Sequence, residues 1–222
     1  MNANGKDEKR LTGGPAGDYD PAFSPDGKRV VFVRYDSPTN RNGIYIQALK
    51  GGSARLVPTD PNCPAASPVF SPKGNKIAFV FNVLRPCGIP SGIATIRPDG
   101  THLRVIHVGN EYTQPQALDF SPNGRSLVFG LYDYDTGFQS IETVRVNGTH
   151  EQTVYTPGPP FTEDNLEANG PVYSPDGKKI AFSRGGYLWT INPDGSGLSD
   201  LGKQGGGFPD WQPLYKHHKH RH

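Results

Sequence analysis

Apolar and polar positions in this chain follow one short phrase four times. Ser24-Pro25-Asp26-Gly27, Ser71-Pro72-Lys73-Gly74, Ser121-Pro122-Asn123-Gly124 and Ser174-Pro175-Asp176-Gly177 each follow an aromatic residue: Phe23, Phe70, Phe120 and Tyr173. Each precedes a β-type apolar run: KRVVFVR, NKIAFVF, RSLVFGL or KKIAFSR. Proline sets φ at the first turn position and the glycine supplies a positive-φ corner, so the phrase predicts a hairpin. Strand A arrives through the aromatic residue, turns, and leaves as strand B. A second turn marker follows each copy: Lys50-Gly51-Gly52-Ser53, Pro98-Asp99-Gly100-Thr101, Asn147-Gly148-Thr149 and Pro193-Asp194-Gly195-Ser196. The runs before it (GIYIQAL, GIATIR, SIETVRV, YLWTIN) and after it (ARLV, LRVI, EQTVY, LSDL) give strands C and D.

The four aromatic residues lie 47, 50 and 53 positions apart. A period of this length marks a repeat architecture, and about 40–50 residues suits one four-stranded propeller blade. The prediction is an all-β propeller with four complete blades at approximately 18–59, 66–109, 116–157 and 169–204. Phe32, Phe79, Phe129 and Phe182 occupy one equivalent strand-B position and are the expected core.

Gly 28 and Pro 22 approach the level that signals low complexity. They recur at regular intervals between β-runs, so they are turn punctuation instead. The formal charge of +2 gives no global field for nucleic acid, and no apolar run is long enough for a membrane helix. The N-terminal MNANGKDEKR has no apolar core of the signal-peptide kind. Lys216-His217-His218-Lys219-His220-Arg221-His222 falls in a predicted disordered tail, 215–222, able to hold divalent metal loosely.

The pattern aromatic-Ser-Pro-Asp-Gly-Lys-x-Ile-Ala-Phe, then a Tyr-rich strand, Pro-Asp-Gly and a Leu-Thr ending, resembles the TolB-like (WD-repeat-like) β-propeller family over roughly residues 1–214. The resemblance implies the fold, a protein-interaction role and a periplasmic or secreted setting. Rings of that family usually have six blades, so this chain is expected to be one or two blades short. Residues 1–12 match the end of a strand C and a strand D; 208–214 match a strand A with Trp211 at the aromatic position. Together they make a partial blade, shared by the termini or left open. The alternatives are a shortened version of a longer propeller, a homo-oligomer joined through the open blade edge, or a five-bladed ring with one thin blade.

Strand alternation places the short A–B and C–D turns on one end of the propeller and the B–C and D–A connections on the other. The latter include residues 35–43, 59–67, 82–92, 108–116, 131–139 and 156–170, and long loops gathered on a rigid scaffold are where binding resides. The candidate binding residues there are Asp18, Tyr19, Asp20, Glu111, Tyr112, Asp133, Tyr134, Asp135 and Glu167. Acids interleaved with aromatic rings suit a basic peptide or a sugar. Asp133-Tyr134-Asp135-Thr136-Gly137 opens like a calcium loop but lacks the third acid and the closing Glu. Cys63 and Cys87 reach the same end, as a disulfide or as two free thiols. Asn147-Gly148-Thr149 has the form of a glycosylation acceptor, although a turn wants Asn-Gly there for backbone reasons.

The sequence contains no Gly-x-Ser-x-Gly elbow, no His-Glu-x-x-His and no phosphate-binding Gly-Lys-Ser/Thr loop. His102, His107 and His150 fall in or beside strands D. The expectation is therefore a non-enzymatic module with no catalytic residue, no metal and no cofactor, binding a protein or peptide through the long-loop end. The competing functions are a propeller fragment of a hydrolase or lyase with a metal or sugar site at that end, and a self-assembling fragment.

Overall fold

The computed structural model describes residues 10–13, 17–36, 41–60, 63–81, 90–158, 168–204, 207 and 209–211. Among these, sixteen strands form four antiparallel sheets and there is no helix. Blade 1 holds β1 (Gly17–Phe23), β2 (Arg29–Asp36), β3 (Arg41–Ala48) and β4 (Arg55–Val57). Blade 2 holds β5 (Ala65–Phe70), β6 (Ile77–Phe81), β7 (Gly92–Ile96) and β8 (Arg104–Val108). Blade 3 holds β9 (Thr113–Phe120), β10 (Ser126–Asp133), β11 (Phe138–Arg145) and β12 (Gln152–Tyr155). Blade 4 holds β13 (Ala168–Tyr173), β14 (Ile180–Arg184), β15 (Tyr187–Ile191) and β16 (Ser199–Gln204). Each sheet is a meander in chain order, and the first strands β1, β5, β9 and β13 lie side by side around one axis. This is a four-bladed arc of a β-propeller.

The Ser-Pro-x-Gly phrase is more than a turn. Ser24 accepts at its carbonyl from the Gly27 N–H, and Gly27 sits at φ 62°. The Ser24 hydroxyl, buried, accepts from the Arg29 N–H at 2.9 Å and donates to Asp26. Asp26 in turn accepts from the Lys28 N–H. Ser121 with Asn123 and Ser174 with Asp176 repeat this network. The second copy has Lys73 at the acid position, and there Asn75 accepts from the Ser71 hydroxyl at 3.1 Å instead. A buried hydroxyl closing the hairpin from inside satisfies backbone groups that would otherwise be orphaned.

The apolar runs of the two inner blades bury both faces because each of those sheets is covered on each side by another. In β6, Ile77, Phe79 and Phe81 join the core shared with blade 1, while Ala78 and Val80 join the core shared with blade 3. In β10, Leu127 and Phe129 face blade 2 and Val128 faces blade 4. Phe70, Phe120 and Tyr173, the residues before the turns, lie in the same inter-blade cores. Exposed arginines cross-link the seams: Arg55 donates to the Pro98 carbonyl and Arg104 to the Asn147 carbonyl of the next blade's C–D turn.

Two expectations about connections change. Residues 131–139 form a tight turn between long strands, with β10 running to Asp133 and β11 starting at Phe138. The Asp133 carboxylate accepts from the N–H groups of Asp135 and Thr136, and Gly137 closes the turn at φ 72°. Likewise β9 begins at Thr113, inside the predicted 108–116 connection. Of the terminal segments, the Leu11 carbonyl accepts from the Gln47 side chain at 2.6 Å, and the Trp211 indole N–H donates to the Val172 carbonyl at 3.3 Å. Residues 1–9 and 212–222 lie outside the described residues.

Phe129 is fully buried between blades 2 and 3, whereas Tyr134 is half exposed on a turn. Phe129→Ala is expected to lower the unfolding free energy by about 3–5 kcal/mol, and Tyr134→Ala to change it by less than about 0.5 kcal/mol. Urea denaturation of both variants checks this, and equal midpoints would contradict the blade register.

Candidate functional site

The four axial strands share one irregularity. Between Tyr19 and Ala22, Ala66 and Val69, Gln116 and Asp119, and Asn169 and Val172, the axial strand holds one residue more than its partner. The first residue of each bulge is left-handed: Asp20 at φ 52°, Ser67 at 48°, Ala117 at 49° and Gly170 at 60°. Three of these are not glycine, and each such residue costs about 1–2 kcal/mol of local strain. A proline follows in three blades, Pro21, Pro68 and Pro171; a bulge tolerates it because the ladder is already interrupted.

These bulges line a cavity of about 540 Å³ along the axis, whose wall includes Asp20, Ser67, Gln114, Ala117, Gly170 and Val172. Asp20 reaches across to the next blade and accepts from the Ser67 N–H at 3.0 Å. Asp119 does the same two interfaces further on, between blades 3 and 4, accepting from the Tyr173 N–H at 2.8 Å. Burial pushes the Asp119 carboxyl up to about 7; the N–H groups of Tyr173 and Phe120 oppose this and the Asp210 carboxylate adds to it.

The predicted binding residues divide into two groups. On β1, Asp18 is held in a fork by Arg34, at 2.7 and 2.8 Å, and the Arg34 guanidinium lies over the Phe32 and Tyr45 rings. The hydrogen bond from Arg34 holds the Asp18 carboxyl below the usual carboxylate range, so this acid is tied to its own blade. Tyr19 is exposed, and partial burial raises its phenol. In blade 3, Tyr134 donates its backbone N–H to the Tyr112 carbonyl at 2.8 Å and its hydroxyl to Gln114. Its ring meets Tyr132 edge-on at 4.9 Å. A hydrogen bond to Glu111 raises the Tyr112 phenol, with the Glu111 and Asp135 charges adding to it. Glu111, Tyr112, Asp133, Tyr134 and Asp135 therefore sit on two adjoining connections of one blade. Gln114 joins them to the axial cavity, which Asp20 also lines.

Glu167 lies outside the described residues, as does Cys87. Cys63 is disulfide-bonded. Gln114 and Asp119 were not among the residues that the sequence pattern singled out. The recurrent proline two residues before the aromatic position was the available signal for the bulges. Asp119 was visible as an acid where the other copies carry Ala22, Val69 and Val172.

Four meandering blades with bulged axial strands around a cavity define a propeller module. The chain belongs to the TolB beta propeller domain family, whose sequence model matches residues 1–165. It is 26% identical over 176 residues to the uncharacterized peptidase YuxL of Bacillus subtilis (strain 168), covering 79% of this chain and 22% of that protein. Among solved structures, it is similar to TolB from Acinetobacter baumannii (TM-score 0.67, 19% identity, 90% of this chain and 47% of that one). It is also similar to a puromycin-hydrolyzing peptidase of Mycobacterium tuberculosis (TM-score 0.61, 23% identity, 85% of this chain and 31% of that one). At those identities the two structures speak to the fold alone.

The expectation of a non-enzymatic protein is corrected by these findings. A relative named as a peptidase matches most of this chain, and a peptidase shares its fold. Elbow, zinc-helix and phosphate-loop motifs belong to strand–turn–helix and helical scaffolds, which a propeller does not build, so their absence says little about an enzyme containing this module. The chain spans about a fifth of the curated relative and under half of the two structures.

Asp119 also yields a pH test. Its folded carboxyl titrates near 7, above its unfolded value, so the unfolded state releases its proton first and stability falls as pH rises from about 4 to 7. Asp119→Asn is expected to be more stable than the parent at pH 8, by up to about 4 kcal/mol, with the gap closing near pH 4. Urea midpoints at the two pH values measure this; a gap independent of pH would refute it.

Proposed function

We propose that this chain is the propeller part of a peptidase-type protein and that it holds a basic polypeptide segment at the long-loop end of the axial cavity. The observation that carries the reading is the joint position of Tyr112, Tyr134 and Gln114. Two half-exposed rings stand beside Glu111 and Asp135, and Gln114 connects them to the cavity wall. Aromatic faces with adjacent carboxylates suit Lys and Arg side chains through cation–π and charge attraction. The similarity to YuxL supports the peptidase setting, and the Cys63–Cys87 pairing would fix two loops at the same end.

A fluorescent Lys/Arg-rich decapeptide is expected to bind saturably, more weakly as salt rises, and a Glu-rich peptide is expected not to bind. The double variant Tyr112→Ala/Tyr134→Ala should weaken the basic peptide at least about tenfold, roughly 1.4 kcal/mol. Equal affinity for the acidic and basic peptides would sink the proposal.

A second reading rests on Phe23. Its counterparts Phe70, Phe120 and Tyr173 are at most 8% exposed, because the preceding blade covers them, but Phe23 is 67% exposed. The same face of blade 1 carries Phe32, Tyr45 and Arg34, matching Phe182, Trp189 and Arg184 of blade 4, where Tyr155 of blade 3 stacks against Phe182 and Arg184. We infer that this face joins another blade of the same kind, supplied by a second copy when the chain stands alone. Light scattering is expected to show a mass that rises with concentration and returns to that of a monomer in Phe23→Glu. A parent chain that stays monomeric throughout would remove this reading.

A further inference from the structure

We propose that the cavity beside Phe79, between blades 1 and 2, is a binding site for a single aromatic ring. The repeat itself points there. Phe32, Phe79, Phe129 and Phe182 hold one strand-B position, paired across to Tyr45, Ala94, Glu142 and Trp189 on strand C. Three of the four have a ring of the chain against them. Tyr45 stacks on Phe32 at 6.1 Å, His107 tilts onto Phe129 at 5.2 Å and Tyr155 onto Phe182 at 5.3 Å. The last two come from strand D of the preceding blade, at positions paired with Ile93 and Ile141.

At Phe79 neither supply exists. The preceding strand D offers Val57, paired with Ile44 at the equivalent position, and strand C offers Ala94. No ring–ring contact of Phe79 occurs among the described residues. The space is a cavity of about 130 Å³ lined, among the described residues, by Phe79, Phe81, Ala94, Cys63, Leu103 and Val105, with Asp60 at its edge as the one charged group. Its floor is the apolar core of the seam, and its rim is Leu103 and Val105, each about half exposed. A dry apolar cavity of about 150 Å³ is large enough to take up benzene. A ring entering here would lie on the Phe79 face that Tyr45, His107 and Tyr155 cover elsewhere, gaining the stacking as well as the burial. The chemical class is a mono-aromatic group with little else to bury: a free phenol or the side chain of a peptide.

The probe is p-cresol, titrated into isotope-labelled protein. Saturable shifts are expected at the Ala94, Leu103 and Val105 methyl groups, with cyclohexanol binding at least several-fold more weakly. Ala94→Phe supplies the ring from within and is expected to weaken p-cresol at least tenfold. Val105→Asp, a change at the exposed rim that leaves the core intact, is expected to do the same even if Ala94→Phe does not fold. N-acetylphenylalaninamide separates the two sources of the ring. Binding at the same methyl groups assigns the site to a peptide side chain, and binding of p-cresol alone assigns it to a free aromatic compound. No saturable shift with either compound, an unchanged affinity in Val105→Asp, or equal binding of cyclohexanol overturns the proposal.

Discussion

Every blade depends on its neighbours for the burial of its second strand. A sheet such as blade 2 is apolar on both faces, Ile77, Phe79 and Phe81 on one and Ala78 and Val80 on the other, and alone it would leave at least one of them in water. Each large side chain so buried contributes about 1.5–3 kcal/mol, which makes the seam between blades, and not the blade, the unit of stability. The three seams are alike in plan: strands A, B and C of one blade present a leading face, and strands B, C and D of the previous blade a trailing one. A change at one seam is felt locally, as nearest-neighbour coupling requires. Arg55 and Arg104, reaching to the next blade's turn, add polar cross-links at the seam edges where water would otherwise enter.

That arrangement forces the first strands together at the axis, where they cannot run straight. Each resolves the crowding in the same way, with one extra residue and a left-handed corner, and Asp20 and Asp119 then bond the backbone of the next blade across the gap. Strain at the bulges is sustained because the seams outside them over-determine the geometry. The same bulges shape the axial cavity, so the packing that holds the arc together also shapes the larger of the two cavities, axial and inter-blade.

Much of this was legible in the chain. The Ser-Pro-x-Gly phrase, the Phe32/Phe79/Phe129/Phe182 series and the second turn marker locate sixteen strands because turn chemistry and period-2 burial are local properties. What was not legible is long-range. Asp18 looks like a free acid until β2 brings Arg34 beside it. Residues 131–139 look like a loop because their polarity hides a turn closed by Asp133. The axial bulges depend on crowding between strands about fifty residues apart, and a single blade gives no sign of that beyond its proline. The expectation of a non-enzymatic protein failed for a different reason: the chain spans about a fifth of the relative named as a peptidase, and motifs missing from one propeller say nothing of the rest of such a protein.

Where the repeat departs from itself, the departures sort by physical kind. Lys73 for an acid is compensated two residues on by Asn75, so the turn survives and nothing is gained. His107 and Glu142 place titratable groups inside the second seam. His107 keeps its apolar contact with Phe129 while its Nδ1 lies 2.8 Å from Glu151, and Glu142, its carboxyl raised by burial, accepts from the Ser140 hydroxyl. Those are substitutions that fill their space. Ala94 is different, because among the described residues no ring takes the place it gives up, and the dispersion attraction forfeited around a void is recovered only by new atoms. In a fold whose stability is a sum of like seams, an unfilled position at one of them is where an outside group gains most by entering.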